Sequence, residues 1–121
     1  MDGLDWVFSA VLAVVFLIVG VVHAFRSDVA RKRFPWVEDV PRVLVTVIGI
    51  VEILGAVGLI LPAATGIYPW LTTVAAIGLG ILMFMAAQFH LRRREKEEAA
   101  LSLVLLVLLA FVAYVRWPLL P

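Results

Sequence analysis

Few residues in this chain could do chemistry in an apolar setting. Glu52 stands alone among uncharged residues in the stretch GIVEILGAVGLILP, residues 49–62, and His23 and His90 are the two histidines. A charged acid surrounded by hydrocarbon costs ~2.5–3.5 kcal/mol on insertion scales, a cost that it lowers by carrying its proton. In that form it both donates and accepts a hydrogen bond, so it can carry a proton or anchor a polar ligand headgroup. The plainer role is an interhelical hydrogen bond. An imidazole is a second group able to exchange protons near neutral pH. There is no cysteine. Disulfides, thiolate metal ligation and CxxC redox chemistry are therefore excluded, and electron transfer would need an external cofactor or partner.

The elements that position these residues are membrane helices. The chain has 121 residues, of which 64% are hydrophobic and 16% charged, with a mean hydropathy of +1.12. Four apolar blocks, about 6–25, 43–61, 70–91 and 99–116, each approach the ~20 residues a helix needs to cross a bilayer core. Runs this long without alternation are helices, which satisfy their own backbone groups in lipid. The expected fold is an all-α membrane protein, residues 1–121 forming a single domain, an antiparallel four-transmembrane-helix bundle. The opening residues MDGLD carry two acids and no base, so the first block reads as a membrane helix, not a signal peptide. Nine of the ten Lys and Arg residues fall in the connections 26–42 and 92–96. By the positive-inside rule both termini then face outward from the cytoplasm. A net charge of +1, so segregated, excludes nucleic acid as a partner.

Helical spacing places the polar residues on shared stripes. On the second membrane helix Arg42, Val45, Gly49, Glu52, Ala56 and Leu59 share a face. Ser9, Ala13, Phe16, Gly20 and His23 do so on the first, and Thr72, Ala76, Leu79, Met83, Ala86 and His90 on the third. Small residues beside polar ones mark faces turned to the bundle interior. The fourth helix is leucine-rich without such a stripe and reads as a cover for one side. At about 1.5 Å per residue, Glu52 lies near the midplane and His23, Gln88 and His90 near the cytoplasmic helix ends. The expected ligand site is an inner vestibule lined by His23, Gln88 and His90, with Glu52 some three turns below His23 and Arg42 at the mouth. That depth difference argues against a metal site. A haem held between His23 and His90 is the weaker cofactor alternative. Residues 26–41 read as a short helix and then an extended Pro-bounded segment carrying Phe34 and Trp36, an interfacial anchor or a lid. In 92–98, Arg93/Glu97 and Arg94/Glu98 have i,i+4 spacing, which extends the third helix past the membrane.

Several segments together resemble a known family. The order GVVHAF, FPWVEDVP, VIGIVEILGAVGLILPAATGIYPWLT and AAQFHLRR is similar to the DoxX-like family of small four-helix membrane proteins. The resemblance implies a bundle in a bacterial-type inner membrane. Relatives are linked to membrane redox work, including a subunit of a thiosulfate:quinone oxidoreductase and complexes for oxidative-stress defence. It implies a quinone-type lipophilic ligand or a membrane or cytoplasmic redox partner, with Glu52 at the family's acidic position and His23 closing the first helix. Whether the chain is itself an enzyme stays open. The alternatives are a proton-coupled transporter, an isomerase or hydrolase using Glu52 as general acid on a lipophilic substrate, and a non-catalytic scaffold. Small residues on three helices also permit a homodimer.

Overall fold

The computed structural model describes residues 3–33 and 35–117; Phe34 lies outside them. The elements are α1 (Gly3–Phe25), α2 (Ser27–Arg33), a 3₁₀ turn (Pro35–Asp39), α3 (Arg42–Thr65), α4 (Trp70–Arg92) and α5 (Lys96–Val115). No strand occurs among the described residues. The long helices α1, α3, α4 and α5 are each long and apolar enough to cross a membrane, so the chain is a multi-pass membrane protein. Its connections make neighbours antiparallel. One end of the bundle carries α2, the 3₁₀ turn and the α4–α5 turn, and is called the basic end here. The other, the terminal end, carries the α3–α4 hairpin, the start of α1 and the finish of α5.

The helices close a ring in the order α1, α3, α4, α5. The α1–α3 and α4–α5 seams are extensive and the α1–α5 seam is thin. Leu12, Phe16, Leu59, Leu79, Leu109 and Val112 form the centre of the core. The buried residues of α3 are Val45, Gly49, Glu52, Ala56 and Leu59, the face that 3.6-residue spacing selects. The outward faces are rich in exposed Val, Leu and Ile. Lipid is as apolar as those side chains, so burial does not drive the helices together; close backbone approach at small residues does.

Three local features differ from the sequence reading. Helix α3 runs through Pro62 to Thr65 and ends at Gly66, which donates its N–H to the Pro62 carbonyl and then turns the chain away with a positive φ of 75°. The proline removes one backbone hydrogen bond, yet the helix continues because glycine, not proline, supplies the left-handed cap. Residues 35–39 form a 3₁₀ turn, not an extended segment. Val37 there packs with Ala30 and Val45, and that small cluster draws the connection onto the basic end. The α4–α5 connection is a turn, not a continued helix, and Arg93 pairs with Glu95 and Asp39, not with Glu97.

Candidate functional site

The site begins with two glycines. A Cβ on Gly20 would meet the Gly49 carbonyl at 2.8 Å, and one on Gly49 would meet the Ala24 nitrogen and the Gly20 carbonyl at 2.6 Å. Helices α1 and α3 therefore touch backbone to backbone at this crossing, which a larger residue would prevent. His23 and Glu52 each lie three residues beyond it, in opposite directions along the bundle. Side chains tilt toward the N-terminus of their own helix, and in an antiparallel pair these two tilts converge. His23 Nδ1 and Glu52 Oε1 stand 2.8 Å apart, both side chains buried. Either the imidazole N–H or the carboxyl O–H donates, so a proton lies between them. The depth gap is smaller than the sequence reading expected: Gly20 meets Gly49 well inside α3, and the converging side chains close the remaining distance.

An aromatic layer covers the pair on its basic side. The Trp36 ring stands edge-on to His23 at 5.2 Å between centroids, and faces Phe89 at 6.0 Å and His90 at 6.1 Å. Beyond Trp36 lies a second histidine–carboxylate pair, His90 Nδ1 with Glu95 Oε1 at 2.9 Å. Backbone geometry makes it. Arg94 has φ of 60°, the Glu95 N–H donates to the His90 carbonyl at 2.9 Å and the Arg94 N–H to that of Leu91 at 3.1 Å. This is a Schellman motif with arginine in the place that usually takes glycine. It folds Glu95 back against the last turn of α4.

Arg93 ties the layer down. Its Nε donates to Glu95 at 3.0 Å and its Nη1 to Asp39 at 2.6 Å, which fastens the 3₁₀ turn to the end of α4. The hydrogen bond with His90 outweighs the opposing effect of burial and, with the Arg93 guanidinium, holds the Glu95 carboxyl below the usual carboxylate range. From Glu52 outward the order is thus carboxyl, imidazole, indole, imidazole, carboxylate and guanidinium.

The other predicted site residues lie elsewhere. Gln88 is exposed on the outer face of α4, and Arg42 is exposed at the first residue of α3. Neither joins the cluster. His90 is brought to the same indole as His23, but Trp36 fills the space between the imidazoles that a haem plane would need, so haem does not fit this arrangement. Among the described residues no group of three His, Asp or Glu side chains converges as a metal site. Among the described residues, open apolar grooves on the lipid-facing side include one of about 520 Å³ between α4 and α5 and one of about 430 Å³ between α3 and α4. Neither includes the His23–Glu52 pair.

A second buried polar group was not singled out from the sequence. Asp5, Ser9 and Arg116 are all buried at the terminal end. The signal was present: Asp5 and Ser9 sit one helical turn apart on the face that continues to Gly20 and His23, and Arg116 is the one basic residue at that end.

The sequence matches the family model described as DoxX-like over residues 7–112, most of its length. No curated protein and no solved structure matches it.

Proposed function

This chain belongs to the DoxX-like family, and from that premise we propose that it serves a membrane redox system, with the His23–Glu52 pair as its proton and ligand site. The observation carrying this reading is the 2.8 Å contact between two titratable side chains inside an apolar bundle. With one proton between them the pair is net neutral, whether the proton sits on the carboxyl or makes an imidazolium. It can thus lie at membrane depth without the penalty of an isolated charge. Giving the proton away leaves one uncompensated negative charge, which favours its return.

A lipophilic quinone is the ligand class that suits these groups, because its carbonyl oxygens accept hydrogen bonds and its flat ring packs on aromatic walls. Such a group supplies two-electron redox chemistry when bound. Glu52 and His23 would hydrogen-bond its headgroup and exchange the proton, and Trp36 would shield them from water. Without cysteine, the electrons come from a partner protein or its cofactor. The basic clusters in 26–42 and 92–96 orient that end toward the cytoplasm of a bacterial-type inner membrane, with both termini outside. They also offer a face for an acidic partner.

The test is the composition of purified protein. Wild type and Glu52→Gln are isolated in mild detergent, their absorption spectra recorded and their organic extracts analysed by mass spectrometry. A quinone-type molecule at near-stoichiometric level in wild type and several-fold depleted in Glu52→Gln is the expected result. Identical extracts without such a molecule would remove the resident-ligand reading and direct attention to proton-coupled transport.

A further inference from the structure

The terminal end holds charged chemistry that the redox reading does not use. Asp5 and Ser9 belong to α1, and Arg116 caps the C-terminus of α5. Their relative exposures are 1%, 0% and 0%. Arg116 Nη2 stands 3.5 Å from Asp5 Oδ2, and the guanidinium carbon lies 4.5 Å from the centre of the Trp6 ring. Thr73 Oγ1 donates to the Arg116 carbonyl at 2.7 Å, so the backbone beneath the guanidinium is fixed to α4. Yet among the described residues none of the side-chain nitrogens of Arg116, neither carboxyl oxygen of Asp5 and not the Ser9 hydroxyl has a hydrogen-bond partner.

Native proteins satisfy nearly all such buried groups, and the guanidinium carries most of what is unmet here. It can only donate, through five N–H groups, and all three of its side-chain nitrogens are without an acceptor among the described residues. What completes the fork therefore supplies oxygen acceptors in the flat, paired arrangement that a guanidinium prefers. Charge adds a second condition. Asp5 and Arg116 cancel each other, and a buried site in a membrane protein resists a net charge. The ligand must therefore arrive neutral overall.

A carboxylic acid meets both conditions. We propose that Asp5, Ser9 and Arg116 form a binding site for a small carboxylic acid that enters together with its proton. The carboxylate oxygens accept from the Arg116 fork. The acid's O–H bond breaks and an O–H bond forms on an Asp5 oxygen, so the site stays neutral and Asp5 becomes a donor to the bound anion. Ser9 supplies one more donor, and Trp6 holds the guanidinium plane. Among the described residues, Arg116 from α5 is the charged group facing Asp5. Thr72 and Thr73 of α4, the last turns of α3 and residues 66–69 carry no charge. Proton uptake by Asp5 is thus coupled to what Arg116 holds.

Acetate is the probe. Tryptophan emission of the full-length protein in detergent is titrated with acetate at constant ionic strength between pH 5.5 and 7.5, with Trp6→Phe identifying the reporting ring. Linkage requires the apparent Kd of acetate to weaken about tenfold per pH unit rise, because one proton is bound with each anion. In Asp5→Asn, acetate still binds and the slope disappears. Should that variant fail to fold, Asp5→Ser, which equally removes the carboxyl, carries the same test. A pH-independent affinity in wild type, or a tenfold slope that persists in Asp5→Asn, overturns the proposal. So does the lack of saturable binding, which would leave the cluster an interhelical ion pair only.

Discussion

The two ends of α1 solve the same problem differently. At the basic end His23 meets Glu52 through a 2.8 Å hydrogen bond, and at the terminal end Asp5 meets Arg116 at 3.5 Å without one. Both pairs join α1 to another helix, and both are buried. The first can cancel its charges by moving one proton between partners. The second cannot, because a guanidinium keeps its proton under all ordinary conditions. Proton freedom at one end and fixed charge at the other therefore separate a site suited to exchange from a site suited to holding an anion.

The largest expected effect tests that separation directly. Arg116→Gln strands the Asp5 carboxylate in the core and should destabilise the fold by about 3–5 kcal/mol, the range for breaking a buried ion pair. Glu52→Gln keeps a hydrogen-bonding side chain of the same shape and should cost about 1 kcal/mol. Reversible unfolding in mixed micelles measures both. Equal costs would break the comparison, since they would mean that the His23–Glu52 pair is as firmly charged as the other.

Next in size is the crossing that makes the first pair. Gly49→Ala places a Cβ 2.6 Å from backbone atoms of α1, and backbone cannot swing aside as a side chain can. Overpacking of this kind costs about 1–3 kcal/mol, and it separates His23 from Glu52 as the helices part. Gly78→Ala is the control. A Cβ there meets nothing within 4 Å, so the change should stabilise the helix by at most ~1 kcal/mol. A Gly49→Ala protein as stable as the control would show that the helices do not cross on bare backbone.

Glu95 gives a pH-dependent contrast. Its carboxyl is depressed by His90 first and Arg93 next, so the unfolded chain binds more protons than the folded one in acid. The contribution is complete above the ordinary carboxylate range and is lost as pH falls through the depressed value. The melting temperature of wild type should drop more steeply between pH 5 and pH 3 than that of Glu95→Gln. Parallel curves would remove the histidine–carboxylate hydrogen bond as the cause.

Spans and stripes were legible because a membrane helix carries few polar residues, and 3.6-residue spacing puts Gly49, Glu52 and Ala56 on one face whatever surrounds them. Pairing was not legible for the same residues. Depth counted from Arg42 left Glu52 far from His23, whereas the level of two helices is set by where their backbones touch, here Gly20 on Gly49. Gln88 sits only two residues from His90, yet that step turns it to the exposed face. The Asp5–Arg116 pair spans nearly the whole chain, and no local spacing links its members. Glu97 has helical spacing from Arg93, but the left-handed Arg94 ends the helix first and gives Arg93 to Glu95 and Asp39 instead.

That left-handed residue supplies the smallest effect. A side chain at positive φ crowds the backbone at a cost of about 1 kcal/mol, which glycine avoids. Arg94 projects from an exposed turn, and among the described residues no hydrogen bond or ion pair of its side chain holds it there. Arg94→Gly should therefore stabilise the protein by about 0.5–1 kcal/mol, less whatever freedom glycine adds to the unfolded chain. The same variant leaves Arg93, Glu95 and His90 in place, so the steep acid limb of the melting curve should persist at a raised baseline. Stabilisation together with a lost acid limb would mean that Arg94 contributes to the Glu95 hydrogen bonding that the turn geometry assigns to His90 and Arg93.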